Sequence, residues 1–595
     1  MKQSKRYYEF GPFRIERNER LLRRGQDVVG LPPKAIDVLL ALLERGGEAV
    51  PKEELLSQVW PGTFVEEGSL AQNISVLRKA LRDQTGSHYI DNLPRRGYRF
   101  VAPIASTAGE PGAPRSIAIL PLANLSGDAT RDVFAEGMTA ELIGRLMKIA
   151  ALRVAPRTSV MAYRGLSKPL REIARELEVD WVVEGAVLQS SHKVRITVHL
   201  IEGATERQLW AEAYERDLCD VLALQSDIVS EVARQIRVSV TAPEQRRLTT
   251  SRPVDPDAYD AYLRGRHFLD RRVREGLTRA VDYFRTAIDR DPTYAPALAG
   301  LADAYALLGT VGYDVLPPHD AMPRARAAAG RAVELDPTMA PAHASLGYIA
   351  LSYEWDGTSA ERHFQRSFGL DPSYATAHLW YGHYLFARHR LEDAIRAMRR
   401  AVELDPLSVP CNLGIGWSLY YARRFDDAIA HYRKTLEIGP DPPMVLYELG
   451  LSHQNQGQFD EALAVYRRGY DLSRGEAASV MLLAHLFALM GRHTDARRHL
   501  GELEDLSRRQ FVPSLYMAFV HVGLGNRDEA FAWFDKAYEE RSNYLVFLGV
   551  EPALDSVRSD PRFVRLMRRI GVSTSQQRGL STRRSSTALP RGERR

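Results

Sequence analysis

The 595-residue sequence contains two cysteines, Cys219 and Cys411. They are too few for a disulfide framework and point to a reducing compartment or to simple indifference to redox. Long apolar runs are lacking. The most apolar stretch, from Ser479 to Met490, is too short to cross a bilayer and carries His485. The opening MKQSKRYYEFGPFRIE is basic but holds no apolar segment of the secretory kind. These absences predict a cytoplasmic protein without a membrane partner. Enzyme signatures are missing too. No G-x-x-x-x-G-K-[ST] phosphate loop occurs, and no Cys/His spacing suits zinc. The sixteen histidines are scattered, so a Ser-His-Asp arrangement has no support. His378 and His383 are five apart and read as surface or groove residues. Asn124 to Asp128, after a strand, reads as a polar turn rather than an anion cradle. No catalytic residue, metal or cofactor is expected.

What is present is an ordinary folded composition. Hydrophobic residues are 45% and charged residues 26%, enough apolar surface for several cores and too much for a wholly disordered chain. At ~150 residues per domain, the length suggests about four segments. Charge is unevenly spread. Residues 1–103 hold 17 Lys and Arg against 13 Asp and Glu, and residues 572–595 hold six Arg against one Glu. Two basic ends around a mildly acidic body hint at a polyanion partner.

The strongest pattern is an internal repeat. Ala394, Ala428, Ala462, Ala496 and Ala530 are 34 residues apart. Gly382, Gly416, Gly450, Ala484 and Ala518 keep the same step, twelve residues earlier. Tyr432, Tyr466 and Phe534 each follow the second small residue by four. Small residues let the two helices of a hairpin approach closely, and Asp-Pro pairs at 336–337, 371–372 and 405–406 end units, with Pro440 continuing the series. The pattern resembles the tetratricopeptide repeat, with about eight units over 258–542. An insertion is expected near 310–319 and a capping helix within 550–571. The repeat implies an elongated scaffold with a concave face and leaves its ligand open.

The N-terminal hundred residues suggest a nucleic-acid reader. Helices are predicted over 31–45, 51–60 and 69–82, the first ended by Gly46-Gly47 and the second by Pro61-Gly62. A hairpin follows in YIDNLPRRGYRFV. On the third helix Leu70, Ile74, Leu77 and Leu81 form one stripe, and Gln72, Ser75, Val76 and Lys79 lie opposite. That arrangement is a winged helix-turn-helix in outline. Its third helix would enter the major groove and its hairpin would meet the neighbouring backbone or minor groove. Base contacts are expected from Gln72, Ser75, Val76 and Lys79. Backbone or minor-groove contacts are expected from Asn73, Arg78, Arg82, Arg95 and Arg96. Residues 7–103 resemble the OmpR/PhoB-type DNA-binding domain, most specifically in Ile74-Ser75-Val76-Leu77-Arg78 and Arg96-Gly97-Tyr98. The resemblance implies a sheet before the helices. With this module starting at residue 7, a regulator without a receiver domain is expected. It is CadC-like but without the transmembrane helix of those relatives.

Residues 116–122, 181–190 and 193–201 read as strands, the last two paired, with helices over 133–149, 170–178 and 220–238. This segment resembles the TolB-like amino-terminal domain, through AILPLANLSGD, FAEGMTAELIGRL and VDWVVEGAVLQSSHKVRITVHLIE. No site residue is carried over from it. The expected fold class is therefore multidomain: an α+β winged helix-turn-helix (1–103), a linker (104–115), an α/β domain (116–240), a second linker (241–257), an all-α tetratricopeptide superhelix with its cap (258–571) and a basic disordered tail (572–595). The function this predicts is a one-component transcriptional regulator. Its partners would be double-stranded DNA and a protein or peptide in the repeat groove, with RNA polymerase and a second copy on DNA as further candidates. The alternative is a tetratricopeptide scaffold or adaptor whose winged helix binds protein.

Overall fold

The computed structural model describes residues 7–571 except 17–19, 25–26, 46–47, 61–64, 66, 82–88, 95, 103–114, 167, 191, 243, 246–252 and 439–442. Gly46-Gly47, Pro61-Gly62, Pro440 and the basic tail thus lie outside the described residues. The chain divides into two compact units, 1–114 and 115–595.

In the first unit, β1 (Tyr7–Phe10), β2 (Phe13–Glu16), β3 (Leu21–Arg24) and β4 (Asp27–Val29) make an antiparallel meander. Then come α1 (Pro33–Glu44), α2 (Lys52–Val59), α3 (Glu67–Ala80) and the hairpin β5 (Ile90–Leu93)/β6 (Gly97–Phe100). Pro33 opens α1 and Pro51 precedes α2, positions where a missing N–H costs nothing. An aromatic cluster ties the sheet to the hairpin. Phe10 lies 4.9 Å from Phe100 and 5.8 Å from Tyr89, ring centre to ring centre.

The second unit opens with a mixed sheet. Its strands are β7 (Arg115–Ile119), β8 (Ala123–Asn124), β9 (Leu152–Val154), β10 (Trp181–Gln189), β11 (Lys193–Glu202) and β12 (Gln208–Asp217). They run in the order β12-β11-β10-β7-β9, and β8 also pairs with β10. The β7–β10 and β7–β9 pairs are parallel, and β10–β11–β12 is antiparallel. The helices α4 (Asp132–Leu146), α5 (Arg157–Met161), α6 (Leu170–Glu176) and α7 (Val221–Gln235) complete this part.

Eight helical hairpins follow among the described residues. The first four are α8 (Pro256–Asp270)/α9 (Arg274–Arg290), α10 (Ala295–Leu308)/α11 (Pro318–Leu335), α12 (Ala340–Ile349)/α13 (Gly357–Leu370) and α14 (Ala375–Ala387)/α15 (Leu391–Leu404). The last four are α16 (Val409–Tyr421)/α17 (Phe425–Leu436), α18 (Pro443–Asn455)/α19 (Phe459–Ser473), α20 (Ala477–Leu489)/α21 (His493–Ser507) and α22 (Ser514–Gly523)/α23 (Arg527–Glu539). The small residues of the 34-residue step sit where these helices touch. Ala394, Ala428, Ala462, Ala496 and Ala530 are fully buried. A Cβ on Gly416 would stand 2.0 Å from the Tyr432 ring, and one on Gly450 would stand 2.2 Å from that of Tyr466.

Three features go beyond the sequence reading. The α/β part and the repeats pack against each other within one compact unit. Leu263 of α8 packs on Gly137 of α4, and the Tyr259 hydroxyl accepts from Gln225 Nε2 at 2.6 Å. Arg157 pairs with Asp270, and Thr158 donates to Asp405. Second, the insertion after α10 is a clasp between early and late hairpins. Val311 N–H donates to Asn543 Oδ1 at 2.9 Å, and the Tyr516 hydroxyl donates to Asp314 Oδ2 at 2.8 Å. Third, the segment after α23 does more than cap the last hairpin. It returns across the ends of α12, α14 and α16. Arg541 donates to the Tyr353 carbonyl, the Tyr420 hydroxyl donates to Glu551 at 2.6 Å, and Arg423 pairs with Asp555 at 2.7 Å. A short helix, α24 (Pro561–Arg569), follows. The repeats therefore close on themselves. Their concave side, expected as an open groove, lines a cavity of about 1900 Å³ shared with α4 and α5.

Candidate nucleic-acid interface

The third helix of the first unit is locked by its inner stripe. Leu70, Ile74, Leu77 and Leu81 are all buried to within 1% exposure. This fixes the rotation of α3, and at 3.6 residues per turn Gln72, Ser75 and Lys79 must then face outward. All three are exposed, and Val76 between them is half-buried against the core. From Gly68 to Leu81 there is no acidic residue, so nothing on this face repels phosphate.

The residues expected to meet the backbone have differing local roles. Asn73 Nδ2 donates to the Ser69 carbonyl one turn back, at 2.8 Å. Arg78 is turned inward. Its Nε and Nη2 both donate to the Ile90 carbonyl, at 3.0 and 2.8 Å. That fork joins α3 to the first strand of the hairpin, so Arg78 braces helix against wing, a task its place on the helical wheel does not reveal. Arg96 is exposed at the hairpin turn, where its N–H donates to the Leu93 carbonyl at 2.9 Å. Arg82 and Arg95 lie outside the described residues.

The hairpin is held in place by backbone. Tyr98 and Val50 exchange two hydrogen bonds, at 2.8 and 3.0 Å, which adds Val50, two residues before α2, as a third line to the β5/β6 pair. Gly97 makes this approach possible. Its φ is +100°, and a Cβ there would stand 1.9 Å from the Val50 carbonyl oxygen. Arg99 and Asp91 pair across the strands at 3.1 Å. The sequence reading missed two supports, the Val50 bridge and Arg24. Arg24 Nη2 reaches the Ala80 carbonyl at the end of α3, at 3.3 Å, while its guanidinium lies 4.7 Å over the Phe13 ring. Nothing in the local sequence announces either, because both join residues about fifty positions apart.

Three helices, a bridged hairpin and a leading meander carry a family likeness. Residues 25–100 match the family described as transcriptional regulatory protein, C terminal. The N-terminal unit is an OmpR/PhoB-type winged helix. Behind this winged helix, residues 113–231 match the second domain of HilA/YgeH-like transcriptional regulators, where the sequence reading names a TolB-like domain. Residues 356–409, 413–477 and 447–508 match the tetratricopeptide repeat. Among curated proteins, the transcriptional regulator HilA of Salmonella typhimurium is 27% identical over 405 residues, 66% of this chain and 70% of that protein. The transcriptional activator CadC of Escherichia coli is 34% identical over 92 residues, 15% of this chain and 18% of CadC. A protein named "Putative adenylate cyclase 3", from Rhizobium meliloti, is 33% identical over 249 residues, 41% of this chain. The chain spans about a third of that relative, 35% of its length. Among the described residues no helix is long and apolar enough to cross a membrane.

Proposed function

We propose that this chain is a one-component transcriptional regulator of the cytoplasm that reads duplex DNA with α3. Gln72 would pair with an adenine edge and Lys79 with guanine O6 and N7. Val76 would pack on a thymine methyl, and Ser75 would serve either kind of edge. Asn73, Arg82, Arg95 and Arg96 would hold phosphates or the adjacent minor groove. Arg78 would act on the DNA backbone through the wing it braces. The observation that carries this reading is the exposed, acid-free face of Gln72, Ser75 and Lys79 on a helix whose rotation the core fixes. The domains would divide as the sequence reading has them, with the tetratricopeptide part meeting a protein partner. RNA polymerase and a second copy on adjacent half-sites are the partners such a regulator needs. The chemistry is recognition, and no catalytic step is assigned.

Selection of duplexes from a random pool by the full chain, followed by titration at several salt concentrations, tests the reading. A selected sequence bound at least a thousandfold more tightly than random duplex supports it. Equal binding of all duplexes, or none, would favour the adaptor reading in which the winged helix contacts protein.

A further inference from the structure

The cavity inside the closed repeats has an inner chamber built largely of rings. Tyr348 stacks on Trp380 at 4.9 Å. His383 lies 5.3 Å from Trp417 and 5.7 Å from Phe547, and Phe547 in turn faces Tyr544 and Tyr421. Three stretches far apart in sequence meet here: the inner helices α12, α14 and α16, the clasp, and the returning segment. A wall assembled from stretches so far apart in sequence, which then leaves space, is unlike a packed core.

Several charged groups beside the chamber are paired or neutral. Glu476 is paired with Arg274 at 3.5 Å, and Arg266 with Asp270 at 3.5 Å. Glu448 is held by Trp417, and burial together with the nearby Glu551 pushes its carboxyl up to about 8, so it is uncharged at neutral pH. Burial and the field of Arg272 push His383 down to about 3, so it is neutral as well. Its Nδ1 is buried and has no hydrogen-bond partner among the described residues. Asp303, behind the wall, is occupied by the Ser345 and Tyr374 hydroxyls. A cation reaches these rings, that of Arg272. It lines the cavity and is hydrogen-bonded to Tyr313, and its charge is felt by Tyr313, Tyr348, Tyr374 and His383. Its charge also reaches the buried carboxyl of Asp303, which the two hydroxyls already occupy.

The geometry points to a binding site for a small aromatic carboxylate, its carboxylate on Arg272 and its ring among Tyr348, Trp380, His383 and Trp417. A guanidinium presents a fork that suits a planar anion, and the flat walls suit a flat ring. This inference goes beyond DNA reading and does not depend on it, since binding is measured without DNA.

Calorimetric titration of the full chain with three probes that share one ring decides it. Indole-3-acetate carries the anion, indole-3-acetamide is neutral, and tryptamine carries a cation. The acetate should bind at least tenfold more tightly than either of the others. Arg272→Gln should remove that advantage and leave acetamide binding unchanged, while Trp380→Leu should weaken all three. The comparison of probes on the unaltered chain stands whether or not a variant folds. Three results would overturn the proposal: no binding of the acetate at millimolar concentration, tighter binding of tryptamine, or an Arg272→Gln chain that keeps the preference for the anion.

Discussion

Replacing Gly97 by alanine separates the wing from the reading helix. The added Cβ would stand 1.9 Å from the Val50 carbonyl oxygen and 2.9 Å from Pro51 Cα. These are backbone atoms at the start of α2, which cannot step aside as a flexible side chain can. The residue also sits at φ +100°, a region costing an L-residue of order 1–3 kcal/mol. Relief requires the hairpin to lift, which breaks the two hydrogen bonds between Val50 and Tyr98 at ~0.5–1.5 kcal/mol each. The first unit should therefore lose ~2–6 kcal/mol of local stability. Its core, built on α1, α3 and the aromatic cluster, should remain. Affinity for every duplex should fall together, because the wing supplies backbone contacts, and the salt slope should flatten by about one. The ratio of selected to random duplex should stay. Salt-dependent titration of Gly97→Ala beside the unaltered chain measures both. Unchanged affinity would refute the argument about the bridge. A collapse of the selected-to-random ratio with helix content intact would refute the division of labour between wing and helix.

Gln72→Ala or Lys79→Ala should relax preference at one base pair each, costing ~1–3 kcal/mol there and little on random duplex, as read by competition with single-base variants. Gly416→Ala should destabilise the second unit by ~1–3 kcal/mol through its clash with the rigid Tyr432 ring. Gly382→Ala should cost less, since the facing atom is the flexible end of Met398, and thermal unfolding of the pair checks the order. Burial raises Asp314 from the ordinary aspartate value to about 6. Its charged form is therefore the costly one in the fold, and the clasp should be most stable below about pH 4 and lose of order 3 kcal/mol as pH rises to about 6. Asp314→Asn should remove that slope from denaturant melts taken across this range.

The repeat was readable because its physics is local. Two helices can touch only where small residues recur, so Ala428 and Gly416 declared the hairpin themselves. The helices of the winged domain were readable for the same reason, through the stripe from Leu70 to Leu81. Strand β12 was not, because it is an edge strand with most of its residues exposed or half-exposed, and it lacks the alternation that betrays a half-buried strand. The inward turn of Arg78 and the return of Glu551 to Tyr420 were hidden for another reason. Each depends on a partner, at Ile90 or across 131 residues, that no window of sequence contains. The face of α3 was legible as a face, but which of its side chains are free to leave the protein required the fold.

The clasp at Asp314 changes how the repeats can come apart. An open stack frays from its ends, one hairpin at a time, because each unit leans only on its neighbours. Here the first hairpins are tied to the last through Asn543 and Tyr516, so neither end is loose. Losing any one hairpin first requires breaking the knot, and the stack should melt as a single body rather than as a graded series. A protease nick in a middle loop would then leave the two halves held together, like a belt cut opposite its buckle.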